Sequence, residues 1–149
     1  MKYMYDDSHI GSESEIILQK RRKEFTIRSR EYKDLLFSIS SYFPKRFMKR
    51  YTESFYFHDY EIESILFQGK YPSSVTMVIS DGKNSFSLIY EKVSLFQSNV
   101  TDAIYFTDIV YNEILPTENG FFSHEFELSN ENSSMMIVFK KLRFRRLKQ

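Results

Sequence analysis

The stretch Phe57-His58-Asp59-Tyr60-Glu61-Ile62-Glu63-Ser64-Ile65-Leu66 decides the fold class of this chain. Successive side chains of a β-strand point to opposite faces. Read as a strand, the stretch puts His58, Tyr60, Ile62, Ser64 and Leu66 on one face and Asp59, Glu61 and Glu63 on the other. An apolar row backed by an acidic row fits an antiparallel sheet with one face on a core and one in water.

Downstream the period stays at 2. Val75, Met77 and Ile79 keep register between Ser74 and Ser80, and Asp81-Gly82-Lys83-Asn84 is a hairpin signal before a strand from Phe86 to Val93. Ser94 to Thr101 reads as a polar connection, and Ala103 to Leu115 as a strand bulged near Asp108. Asn119-Gly120 supplies the positive-φ positions of a type I′ turn. Phe122, His124, Phe126 and Leu128 then alternate with Ser123, Glu125 and Glu127. The last strand, Met135 to Arg146, shifts its apolar phase near Lys140-Lys141, which is what a β-bulge does.

Upstream the period is 3.6. Tyr32, Leu35, Leu36, Ile39 and Phe43 form one apolar stripe after Ser29, a plausible N-cap. Pro44 ends that helix near Tyr42 and starts a second one to about Tyr51, with Phe47, Met48 and Tyr51 inward and Lys45, Arg46, Lys49 and Arg50 outward. Glu15 to Phe25 leans to strand, and residues 1–13 read as a loose terminus. The expectation is a single α+β domain over 1–149: two short N-terminal helices packed on a bent antiparallel meander of about six strands.

With 149 residues, 15 Phe and 11 Tyr, the chain can bury one core. The absence of Cys excludes disulfides, thiol nucleophiles and Cys-held metals. The N-terminus lacks the basic start and apolar run of a signal peptide, and no stretch is long and apolar enough for a transmembrane helix, so a soluble cytoplasmic protein with no membrane partner is expected. The net charge of +1 hides three blocks. Residues 1–50 hold 12 Lys/Arg against 7 Asp/Glu (net +5), residues 51–139 hold 3 against 13 (net −10), and residues 140–149 hold 6 against none (net +6). Charge sorted in this way points to a charged partner more than to a small-molecule reaction.

No motif indicates an enzyme. There is no nucleophile elbow, phosphate loop, zinc pattern or dinucleotide fingerprint, so no catalytic residue, metal or cofactor is assigned. His58 and Asp59 are strand neighbours in this reading and cannot converge on one ion, and His58 and His124 both sit on apolar rows as core histidines. The basic runs Lys20-Arg21-Arg22-Lys23, Lys45/Arg46/Lys49/Arg50 and 140–146, with Phe139 and Phe144 as a stacking platform, offer an alternative nucleic-acid-binding reading. The acidic middle block argues against it by repelling phosphate. The stronger candidate is the acidic face: Asp59, Glu61 and Glu63 from one strand and Glu125 and Glu127 from another, extended by Asp108 and Glu113, with Asp102 and Glu118 at strand ends. Such a patch suits a basic protein partner.

Phe57-His58-Asp59-Tyr60-Glu61-Ile62, Ile109-Val110-Tyr111-Asn112-Glu113-Ile114, Asn119-Gly120 and Phe139-Lys140-Lys141-Leu142 together resemble an FHD-motif β-sheet domain. It is that of small Bacillus-type immunity proteins, the partners of polymorphic or contact-dependent toxins. The resemblance spans roughly residues 44–146. It implies a non-enzymatic cytoplasmic inhibitor that sterically blocks a cognate toxin domain, with basic nucleases among the effector classes. No site residues come with the resemblance; the acidic rows rest on charge and spacing alone.

Overall fold

A computed structural model describes residues 1–5, 15–70, 73–99, 107–130 and 133–148. Two helices, α1 (Glu15–Ile39) and α2 (Lys45–Glu53), precede eight strands: β1 (Glu61–Gln68), β2 (Ser73–Ser80), β3 (Ser85–Val93), β4 (Leu95–Ser98), β5 (Thr107–Pro116), β6 (Phe122–Leu128), β7 (Ser134–Phe139) and β8 (Lys141–Leu147). The α+β plan therefore holds, with one long and one short helix rather than two short ones.

α1 is long because nothing between Glu15 and Ile39 stops it: the span has no Pro or Gly and is rich in Leu, Lys, Arg and Glu, which lose little rotamer freedom in a helix. The strand expected over Glu15–Phe25 is thus its first turns, and Ser29 lies mid-helix instead of capping it. Burial begins only in the second half, at Tyr32, Leu36 and Ile39. A single 3₁₀ turn (Ser40–Tyr42) and Pro44, at φ −58°, then redirect the chain into α2. Phe47 and Tyr51 are buried there, and Met48 packs against the same core.

Phe57 does not begin a strand. Phe55, Tyr56, Phe57 and Asp59 have φ of 51°, 58°, 57° and 63°, so the chain makes a left-handed turn before β1. Each such residue costs about 1–2 kcal/mol. Burial of the Tyr56 and Phe57 rings offsets part of that cost, as do the Tyr56 N–H to Tyr51 O bond and the Phe57 N–H to Ser54 Oγ bond. Parity holds at Tyr60 and Ile62, both buried. A register shift between Ile62 and Ser64 makes Glu63 the extra residue, after which Leu66 points outward, against the sequence reading, and is 53% exposed.

The strand order is β4-β7-β6-β5-β1-β2-β3-β8, antiparallel throughout. About six strands are expected and eight are found among the described residues, for a physical reason. β3 runs into β4 through Ser94 alone, and β7 into β8 through Lys140 alone. β3 pairs with β8 while β4 pairs with β7, and the Ser94 N–H to Val138 O and Lys140 N–H to Glu91 O bonds carry the ladder across both bends. The edge strands therefore continue interior ones, and the sheet rolls back on itself. The segment read as a connection contains β4, and the predicted phase shift at Lys140 is the bend between β7 and β8. The expected bulge in β5 lies between Ile109 and Tyr111; residues 103–106 of that predicted strand lie outside the described residues. Asn119 and Gly120 take the positive φ expected of them, 60° and 77°.

α2 and the Phe43 linker before it cover the inner face of this sheet. Phe43 meets Phe122 and Phe139, Phe47 meets Phe57 and Phe144, and Tyr51 meets His124, all with ring centroids 4.9–6.3 Å apart. Edge-to-face pairs of this kind add about 0.5–1.5 kcal/mol each beyond area burial.

Candidate functional site

The antiparallel registers place the predicted acidic residues on the outer face of β1, β5 and β6. Glu61 stands directly opposite Asp108, Tyr111 opposite Glu127, and Glu113 opposite Glu125. Asp59 precedes this row, its N–H bonded to Ile109 O. The carboxylates then divide by environment. Glu113 is buried, and its two oxygens accept the backbone N–H groups of Lys2, Tyr3 (2.7 Å) and Met4 (3.0 Å). Glu125 accepts from the Met1 amino group at 3.3 Å. These two acids strap residues 1–5 to the sheet, so at least that part of the terminus expected to be loose is pinned, and Met4 is fully buried. Residues 6–14, with the rest of that expectation, lie outside the described residues.

The other acids face solvent. Glu61, Glu63 and Glu127 are exposed and Asp108 is half-buried; Glu63 accepts from Ser85 Oγ at 3.2 Å. Among the described residues, Glu61, Asp108 and Glu127 make no ion pair. Glu118 is exposed in the β5–β6 turn, and Asp102 lies outside the described residues.

Beside the acidic row runs an aromatic one. His58 stacks on Tyr111 at 5.7 Å, Phe55 meets His58 edge-on at 5.9 Å, and Phe25 of α1 meets Tyr111 at 6.1 Å. His58 and Asp59 were expected to diverge as strand neighbours. The left-handed turn brings them together instead, with Nε2 3.5 Å from Asp59 Oδ1, while His58 Nδ1 donates to Val110 O at 2.6 Å.

His124 is a satisfied core histidine. It is fully buried, and its Nε2 lies 2.7 Å from Asn112 Oδ1 and its Nδ1 2.8 Å from the Tyr90 hydroxyl. Asn112 Nδ2 donates to Tyr56 O, which fixes the amide orientation and leaves Oδ1 as acceptor. His124 therefore carries its proton on Nε2, and Tyr90 O–H donates to Nδ1. Tyr51 O–H donates to the same Oδ1 at 2.9 Å, so Tyr51 oxygen accepts from Tyr32 O–H at 2.7 Å, and Tyr32 oxygen accepts the Ile114 N–H at 2.7 Å. Burial holds the His124 pKa down to about 3 and pushes the Tyr32, Tyr51 and Tyr90 phenols up, so every member keeps the neutral state this pattern needs. The network joins α1, α2, β3, β5 and β6 at one buried point. Such fully satisfied networks specify a packing arrangement. Sequence reading places Tyr32 and Tyr51 inward but misses their hydrogen bonding, and it misses Asn112 and Tyr90, although a polar residue amid Ile109-Val110-Tyr111 and Ile114-Leu115 was the available signal.

Both ring nitrogens of His124 are occupied, and among the described residues no cluster of His, Asp and Glu is arranged to hold a metal ion. The stacking platform is overturned: Phe139 is fully buried, and Phe144 is packed against Phe47 and Phe86. Of the basic runs, 20–23 lies on the largely exposed start of α1, while the α2 run and β8 pack side by side. Arg143 of β8 pairs with Glu91 of β3 at 2.5 Å. No helix among the described residues is long and apolar enough to cross a membrane. No family model, curated protein or solved structure matches the chain.

Proposed function

We propose that this protein is a non-enzymatic, cytoplasmic immunity-type inhibitor that covers a basic toxin domain, a nuclease being one such domain, with the outer face of β1, β5 and β6. The observation that carries the reading is the row Asp59, Glu61, Asp108 and Glu127 beside the Phe55–His58–Tyr111 aromatic row. Interfaces draw affinity from aromatic anchors and association rate from complementary charge. The sorted charge of the middle block and the resemblance of the 57–62 and 109–114 segments support the same reading. Glu113 and Glu125 leave the list of contact residues, because they hold the N-terminal segment; Glu63 stays at its edge.

The test is growth protection. The chain is co-expressed with the variable C-terminal domains of secreted proteins encoded beside its gene. The reading expects the wild-type chain to rescue growth against one such domain, and the Glu61→Lys, Asp108→Lys, Glu127→Lys triple variant to lose rescue while its circular dichroism is unchanged. Rescue by the folded triple variant would sink the acidic-face assignment, and failure to rescue against every domain would sink the immunity reading.

A further inference from the structure

A second charged surface has a different shape. Between α2 and β8 lies a cleft of about 340 Å³ lined by Arg46, Lys49, Arg50 and Arg146, with a single carboxylate, Glu53, at its side and Phe86 and Phe144 in its wall. Arg46, Lys49 and Arg50 share one helix face through i, i+3 and i, i+4 spacing. Arg146 enters from β8 directly opposite Phe86 of β3. The Arg50 guanidinium sits 4.7 Å above the Phe86 ring, so Phe86 brings Arg50 and Arg146 together from two elements. Arg146 is held in place by Asn84 Oδ1. Among the described residues none of the four cations makes an ion pair.

Four like charges line one cleft against two acids, Glu53 at its side and Asp81, whose carboxyl Arg50 helps hold below its ordinary value; a bound anion would relieve the remaining repulsion. Guanidinium groups match phosphate oxygens through paired N–H bonds. The wall disfavours base recognition by stacking. Phe86 is buried beneath the Arg50 guanidinium, and the Phe144 ring is 5.4 Å from it, nearly parallel at 8°, and meets Phe47 edge-on. Phe86 therefore has no open face to offer a nucleobase. The volume is at the small end of small-molecule sites, which run from about 300 to 1,000 Å³. We propose that the α2–β8 cleft binds a small ligand bearing adjacent phosphates, a site separate from the acidic face and independent of its function.

The probe is inorganic tripolyphosphate, titrated calorimetrically into the full chain at low ionic strength in a phosphate-free buffer. Saturable one-to-one binding is expected, tighter than for single orthophosphate. Charge-assisted hydrogen bonds predict that Arg46→Gln/Lys49→Gln, both exposed on α2, weakens it about tenfold or more, with Arg146→Gln acting in the same direction. Lys20→Gln/Lys23→Gln removes the same charge from α1 and is expected to leave binding unchanged. Three results would each overturn the site: no saturable binding, equal weakening by the α1 control, or capture of a 20-nucleotide single-stranded RNA without capture of tripolyphosphate. The last would reassign the cleft to a nucleic-acid backbone.

Discussion

Acidifying the protein should cost stability at His124, by an amount its burial fixes. The side chain is neutral in the folded state because burial holds its pKa at about 3, against an ordinary value of 6.5. Below 6.5 the unfolded chain takes up a proton at this residue and the folded chain does not. The unfolded state therefore binds more protons, so stability falls as pH falls, from about 6.5 down to about 3. Well inside that window the slope is about 1.4 kcal/mol per pH unit, and between pH 7 and pH 5 the integrated loss is about 2 kcal/mol. That is a large share of the 5–15 kcal/mol typical of a small domain, roughly. The assay is urea unfolding at pH 7, 6 and 5 for the wild-type chain and for His124→Gln. Glutamine can still donate to Asn112 Oδ1 and accept from Tyr90, but it does not titrate in this range. Carboxylates titrate in both proteins, so the difference between the two profiles isolates His124. The wild-type chain should lose about 2 kcal/mol more than the variant over this interval. Parallel profiles would refute the buried neutral histidine, and with it the proton order assigned to the network.

Three further outcomes are expected. Glu113→Ala leaves three N–H groups without their acceptor and should lower stability by about 1–3 kcal/mol, with hydrogen exchange at Tyr3 and Met4 accelerating first; unchanged exchange there would mean the strap does not depend on Glu113. Asp59→Gly should be neutral or stabilise by up to about 1 kcal/mol, since φ is 63° and the side chain is 78% exposed, whereas Asp59→Val should cost about 1–2 kcal/mol, both read by thermal melting. Glu61→Lys replaces a like-charge cross-strand pair with an opposite-charge one facing Asp108, so it should raise stability by about 0.2–1 kcal/mol even if it abolishes partner binding. A loss of stability there would show that Glu61 has a structural partner.

Local patterns were legible wherever one physical rule decided the outcome. The rows Val75/Met77/Ile79 and Phe122/His124/Phe126/Leu128 are buried as their parity requires, and Pro44 separates the helices. Asp81-Gly82 and Asn119-Gly120 turn the chain where their backbone freedom predicts. The core role of His124 was readable from its place on an apolar row. Local reading failed where a longer stretch of chain or a distant contact outweighed the preference of a few residues. Ile16 and Ile17 favour a strand, yet uninterrupted helix propensity through Ile39 carries them into α1. Phe57 to Tyr60 alternates like a strand, yet burial of Tyr56 and Phe57 against α2 supports a left-handed turn that no local preference favours.

The same division applies to the surfaces. The sequence by itself determined the α+β class, the hairpin turns, and the sorting of charge into basic ends and an acidic middle, because each depends on neighbours in the chain. Only the tertiary structure decided which acids remain available. Glu113 and Glu125 alternate as regularly as Glu127, but they are taken up by backbone more than 100 residues away. It also decided that α2 and β8 meet to form one basic cleft, and that Asn112 and His124 join three tyrosines from α1, α2 and β3. Register and helix packing bring these groups together across long sequence separations, and no local pattern encodes a meeting of that kind.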